Sequence, residues 1–173
     1  MRFIHLLSCG GTIEKIYSER TGAVVNVEDK IIRYLDRLRL PETEVETTRL
    51  MNKDSLEMDD ADRQVVLDTV RAKLSGRAAP VVITHGTDTI VETGLSLKQA
   101  FPGVAVPIIL TGAMTPLGFE NSDGLQNLTE SLFAAHVLPA GVWLVMQNQA
   151  FPIHRVRKDR ALARFVWTDS ESK

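Results

Sequence analysis

Four short apolar runs, at residues 2–7, 80–84, 106–111 and 141–146, are spaced along the chain by stretches of helical periodicity. Successive Val, Ile and Leu positions are the mark of strands buried on both faces, and such strands belong to parallel sheets. Strand and helix alternate, so the pattern predicts an α/β fold. The right-handed crossovers that βαβ units prefer put helices on both faces of a mostly parallel sheet, giving a three-layer α/β/α sandwich.

The helical segments can be bounded. Val27, Ile31, Tyr34, Leu35 and Leu38 follow one helical face, and Pro41 closes that segment. A second helix is expected from Asp59 or Asp60, where acids suit the positive end of the helix dipole, through Val66, Val70 and Leu74 to Gly76. A third is expected from Asp88 through Val91, Leu95 and Ala100, stopped by Pro102-Gly103. The fourth starts near Ser122 or Asp123 and carries Leu125, Leu128, Leu132 and Ala135. Residues 14–26 hold charges, Tyr17 and Thr21-Gly22 with little periodicity, and read as a mobile loop or a loose hairpin. Such a segment serves as a lid over a site or as passive surface. The chain has no internal repeat or linker, and residues 168–173 form a polar tail expected to be flexible.

With 173 residues, 44% of them hydrophobic, the chain suits one compact domain. A net charge of -2, from 20 basic and 22 acidic residues, gives no reason to expect nucleic acid or an anionic membrane as partner. A small molecule is the expected partner. Cys9 is the only cysteine, which excludes an intrachain disulfide, a CxxC zinc site and a redox pair. A reducing compartment, and so a cytoplasmic location, is expected. The opening residues faintly resemble a lipoprotein signal, but His5 interrupts an apolar stretch shorter than the roughly 7 to 15 residues required. They are read as the first strand.

Two turns carry candidate chemistry. Ser8-Cys9-Gly10-Gly11-Thr12 follows the first apolar run, and His85-Gly86-Thr87-Asp88-Thr89 follows the second. In parallel sheets ligands gather beyond the carboxyl ends of the strands, so the two hydroxyls are expected to face one crevice. Threonine needs a base and oxyanion donors to act as a nucleophile. Gly10-Gly11 leaves backbone amides open to close approach, and Asp88 is placed to orient a lysine. By themselves these turns are common patterns. His85 reads as a packed turn residue, His5, His136 and His154 lack metal-ligand spacing, and Cys9 reads as a buried strand-end thiol. Met114 and Trp143 read as core or wall, and Arg155, Arg157 and Arg160 as a solvated basic face.

Taken in order, Leu7-Ser8-Cys9-Gly10-Gly11-Thr12-Ile13, Asp54-Ser55-Leu56-Glu57-Met58, Val82-Ile83-Thr84-His85-Gly86-Thr87-Asp88-Thr89 and Leu110-Thr111-Gly112-Ala113-Met114-Thr115-Pro116 resemble the signature segments of bacterial-type L-asparaginases. So do Ser122-Asp123-Gly124 and Asn127-Leu128. The resemblance spans nearly the whole chain. It implies a single N-terminal-type domain with a Rossmann-like or flavodoxin-like sheet, and hydrolysis of L-asparagine to L-aspartate and ammonia without metal or organic cofactor. Thr12 matches the nucleophile and Tyr17 the loop tyrosine that activates it. Thr87, Asp88 and Lys158 match a second triad, for which Arg155 and Arg157 are candidate neighbours that lower the lysine's proton affinity. Ser55 matches the serine that grips the substrate's α-carboxylate, and Asp88 the partner of its α-amino group. Gly11, Gly86 and Ala113 complete the substrate-binding set.

Two departures bear on function. Leu56 stands where better-known members carry a glutamine, and Glu57 reads as a surface acid. The length resembles the short-chain form, without the second domain that lends an acidic group to a neighbouring subunit. A homo-oligomer, dimer or tetramer, is expected, with weaker substrate binding. Two other readings stand beside the asparaginase: an amidase for glutamine or another small amide, and a non-catalytic aspartate- or asparagine-binding module.

Overall fold

Alternate side chains of the apolar runs enter two different cores, which fixes the layers. The computed structural model describes residues 1–26 and 30–168. In chain order the elements are β1 (Arg2–Gly10), β2 (Lys15–Ser18), β3 (Ala23–Asn26), α1 (Lys30–Leu35), β4 (Thr43–Lys53), α2 (Asp60–Gly76), β5 (Val81–Thr84), α3 (Ile90–Ala100), β6 (Pro107–Thr111), α4 (Gly124–Val137), β7 (Gly141–Met146), β8 (Gln149–Pro152), β9 (Val156–Asp159) and β10 (Arg164–Trp167). Leu7, Ile83, Leu110 and Leu144 face Val66 and Val70 of α2 and Ile90 and Leu97 of α3. Ile4, Leu6, Val82, Ile109 and Val145 face Ile31 of α1 and Leu128 and Leu132 of α4. This is the expected sandwich.

The main sheet has the order β4-β1-β5-β6-β7-β8. The first five strands are parallel and β8 returns antiparallel to β7. Numbering the parallel strands by appearance gives 2-1-3-4-5, the flavodoxin-like order, whose topological switch point lies between the first and third. Here that point falls between β1 and β5, paired Ser8 to Thr84 at their carboxyl ends. The two threonine turns leave the sheet there.

Several expectations need correction. β4 carries no apolar run; it alternates through Thr43, Glu44, Val45 and Glu46 as a half-buried edge strand, and the apolar-run criterion passes over it. The helix expected to persist to Pro41 ends at Leu35, with turns at Arg37 and Leu38; Val27 lies outside the described residues. The third helix begins at Ile90 rather than Asp88, because Thr87 and Asp88 still belong to the turn. α2 starts as expected, with Asp59 and Asp62 forming a reciprocal capping box. Residues 15–26 form a hairpin, Lys15 paired with Asn26 and Ser18 with Ala23. Of the tail only Thr168 lies within the described residues, its amide bonded to the Arg155 carbonyl.

Beyond β8 the chain forms a second, two-stranded antiparallel sheet in which Lys158 pairs with Phe165. Val156 and Phe165 are buried in the α2–α3 core, and the Trp167 ring meets Phe151 of β8 edge to face at 4.9 Å. This arm is therefore anchored rather than loose. Among the described residues no helix is long and apolar enough to cross a membrane.

Candidate active site

Backbone proximity builds the site. Gly11 has φ +81°, and a Cβ there would lie 2.5 Å from Cα of Gly86. Only glycine tolerates both the conformation and the approach. A Cβ on Gly86 would lie 2.4 Å from Ser55 Oγ. The turn after β1, the turn after β5 and the 3₁₀ segment Ser55–Glu57 are thus in mutual van der Waals contact. The Gly11 amide donates to the Lys53 carbonyl (2.9 Å), and Thr89 Oγ1 donates to the Ser55 carbonyl (2.9 Å). Ser55 Oγ is buried with no hydrogen-bond partner among the described residues. A buried unpaired hydroxyl costs about 1–3 kcal/mol, so a ligand acceptor here would gain affinity.

The β9 arm brings in the amine. Lys158 Nζ donates to Thr87 Oγ1 at 2.7 Å and to Asp88 Oδ1 at 3.0 Å. Thr87 is 4% exposed and Thr12 is half-buried. Among the described residues no side-chain hydrogen bond holds Thr12. Asp88 Oδ1 also receives Arg160 Nη2 at 2.8 Å. Arg160 remains largely exposed, as expected of a solvated face, while one guanidinium nitrogen pairs with Asp88. Arg157 lies 3.8 Å from Asp159, and the Arg155 guanidinium sits 5.4 Å over the Trp167 ring. Lys158 lies within β9, whereas Arg160 lies in the turn that follows it.

Supporting groups surround this set. His85 is buried, its Nδ1 2.8 Å from the Gly86 carbonyl and its Nε2 2.9 Å from Thr93 Oγ1. These partners fix the neutral tautomer with the proton on Nδ1, and burial lowers the imidazole's pKa to about 4. Ala113 is buried at the end of β6. Asp123 accepts from the amides of Met114 (2.9 Å) and Thr115 (3.0 Å), while Asn127 Nδ2 donates to the Gly112 carbonyl (2.9 Å). Asp123 and Asn127 thus hold the segment around Ala113, a role the sequence motif alone does not reveal. Cys9 is buried in the α2–α3 core and its thiol is pushed up to about 12, chiefly by burial, so it stays protonated.

The hairpin is fastened to the same region. Lys15 Nζ donates to Asp54 Oδ2 at 2.6 Å, which holds the Asp54 carboxyl below the usual carboxylate range. Lys30 donates to the Lys15 carbonyl. Tyr17, however, is 55% exposed and lines a separate groove of about 620 Å³ with Lys30, Arg33, Tyr34 and Phe119. Among the described residues no hydrogen bond joins it to either threonine. Gly11, Thr12, Ser55, Gly86, Thr87 and Asp88 thus lie on adjoining turns and 3₁₀ segments that Lys158 of β9 reaches, while Tyr17 lines the separate groove. Leu56 is 67% exposed and Glu57 is exposed.

Known proteins share this arrangement of elements. L-asparaginase 1 of Escherichia coli is 31% identical over 166 residues, covering 91% of this chain and 48% of that protein. A subunit of the glutamyl-tRNA(Gln) amidotransferase of Aeropyrum pernix is 31% identical over 156 residues, covering 84% of this chain and 35% of that protein. The thermostable L-asparaginase from Thermococcus kodakarensis superposes with a TM-score of 0.85 at 27% identity, over 95% of this chain and 51% of that one. The chain spans about half the length of the asparaginases it matches. Residues 3–166 match the family model described as Asparaginase, N-terminal, and the chain belongs to the asparaginase family.

Proposed function

We propose that the chain is an amidohydrolase that converts L-asparagine and water to L-aspartate and ammonia through a threonine ester. The observation that carries this reading is the Lys158 amine 2.7 Å from Thr87 Oγ1, in the turn whose Gly86 abuts the residue before Thr12. Thr12 Oγ attacks the side-chain amide carbon, and backbone amides of the abutting turns hold the resulting oxyanion. The C–N bond breaks as nitrogen takes the proton given up by Thr12 Oγ and leaves as ammonia. Water then adds to the β-aspartyl ester, and one of its protons is relayed by way of Thr87 and Lys158, which gives up a proton as it takes one, to the departing Thr12 oxygen, so that the product acid and the Thr12 hydroxyl are released. Ser55 donates to the substrate's α-carboxylate, and Ala113 lines the crevice. Tyr17 joins when the hairpin closes over bound substrate.

A second reading, hydrolysis of glutamine or another small amide, is favoured by the exposed Leu56 beside Ser55 and by the likeness to an amidotransferase component. Ammonia release from L-asparagine, L-glutamine and D-asparagine by the purified protein separates the two. L-Asparagine is expected to be turned over faster than L-glutamine, and no release from any amide would overturn both. The active form is a homo-oligomer, supported by the exposed Phe133 and Val137 of α4. Light scattering gives its size.

A further inference from the structure

Among the described residues Asp88 is the carboxylate paired with Lys158 beside Thr87, and it is the group through which the site would recognise a cation on its ligand. It is already met by two cations on a single oxygen, Lys158 at 3.0 Å and Arg160 at 2.8 Å. Asp54, the acid preceding Ser55, is taken up by Lys15 at 2.6 Å. Next to Ser55 the chain presents Leu56, whose side chain has no acceptor. These two carboxylates around the crevice are therefore both balanced, and Asp88 with its two cations carries an excess of positive charge. A zwitterionic amino-acid amide must place its ammonium against that excess. An amide with a carboxylate and no ammonium meets only attraction.

We propose that Arg160 is a specificity-determining residue that occupies the ammonium position on Asp88, so that the site takes ω-amides of dicarboxylic acids lacking an α-amino group at least as well as L-asparagine. Succinamate, the deamino counterpart of asparagine, is the simplest such substrate. The inference rests on the amidohydrolase reading and narrows it to a substrate class. The chemistry is unchanged: the amide C–N bond breaks, water adds, and succinate and ammonia replace aspartate and ammonia. Recognition of the α-carbon's handedness weakens for the same reason, because a stereocentre is read through its substituents and one of them goes unheld.

The test compares wild type, Arg160→Ala and Arg160→Lys. Arg160 is 70% exposed and lies outside both cores, so the variants keep the fold, which circular dichroism verifies. Wild type is expected to show kcat/KM for succinamate equal to or above that for L-asparagine. In Arg160→Ala the ratio of L-asparagine to succinamate rises by at least about tenfold, carried by KM, because a charge-assisted contact to the ammonium becomes available. Arg160→Lys keeps the wild-type ratio. An unchanged ratio in Arg160→Ala, or a wild type favouring L-asparagine by more than about a hundredfold, overturns the proposal. Calorimetric binding of succinate and L-aspartate gives a readout independent of turnover. Wild type is expected to bind succinate at least as tightly, with the order reversed in Arg160→Ala. That binding pattern without ammonia release from any amide sinks the amidohydrolase reading and leaves the role of Arg160 standing. Turnover with ratios insensitive to Arg160 does the opposite, and a wild type that binds neither diacid overturns the proposal.

Discussion

The turn after β1 and the turn after β5 leave adjacent strands at the same level and touch through Gly11 and Gly86, yet they hold their threonines in different ways. Thr87 is buried and takes a hydrogen bond from a lysine delivered by a distant strand; its turn is braced by His85 from below and by Asp88 beside it. Thr12 is half-buried with its hydroxyl unheld, and its turn is secured around it, by Gly11 N to the Lys53 carbonyl, Glu14 N to the Gly11 carbonyl and Ser8 Oγ to the Glu14 carboxylate at 2.7 Å. A hydroxyl locked to an amine is suited to passing protons. A hydroxyl left unheld is suited to approaching an electrophile. Under the proposed function the two turns divide one reaction between them.

The sharpest way to break that division is to remove each hydroxyl. Thr12→Ala and Thr87→Val are each expected to lower ammonia release by about a thousandfold or more. Rapid-quench mass spectrometry should find the acyl adduct on the Thr12 peptide of Thr87→Val, and an adduct on Thr87 in Thr12→Ala would reverse the roles. Next comes the contact between the turns. Gly86→Ala places a Cβ 2.4 Å from Ser55 Oγ and should cost about 1–3 kcal/mol in denaturant titration along with most activity, whereas Gly76→Ala, facing open space at the end of α2, serves as the neutral control.

His85 gives the comparison a pH axis. Its pKa falls from an ordinary 6.5 to about 4 in the fold, so between these values the unfolded chain binds more protons. Stability is unaffected by this group above pH 6.5, declines as pH falls toward 4 by roughly 3 kcal/mol, and levels off below. His85→Gln should flatten that stretch of a urea-denaturation profile. The smallest effect is expected from Lys15→Met. A partly exposed ion pair contributes up to about 1 kcal/mol, so loosening the hairpin should raise KM by roughly two- to fivefold with little change in Tm.

The parts legible in sequence were those written in hydrophobic pattern. β1, β5, β6 and β7 are apolar runs because both faces are covered, and α2 announces its start with Asp59 and Asp60. β4 was hidden because an edge strand with one open face reads Thr, Glu, Val, Glu, much like a surface loop. The position of Lys158 depends on β9 and β10, four residues each, whose pairing is nonlocal and in which only Val156 and Phe165 are buried. The glycine turns were visible as composition, but their contact required the strand order. Tyr17 was matched to the site by motif, while the hairpin register sets its side chain in a different groove.

The anchored arm carrying Lys158 has a consequence for how the protein is made. Synthesis runs from the amino end, so both threonines, the parallel strands β1, β4, β5, β6 and β7 and the helices α1 to α4 emerge before the amine does. Under the proposed function a nascent chain as far as residue 150 carries both threonines without the lysine, and gains it only with β9, which pairs with β10 while Trp167 meets Phe151. Under that reading competence arrives late, and chains of graded length would register it as an abrupt onset rather than a gradual rise.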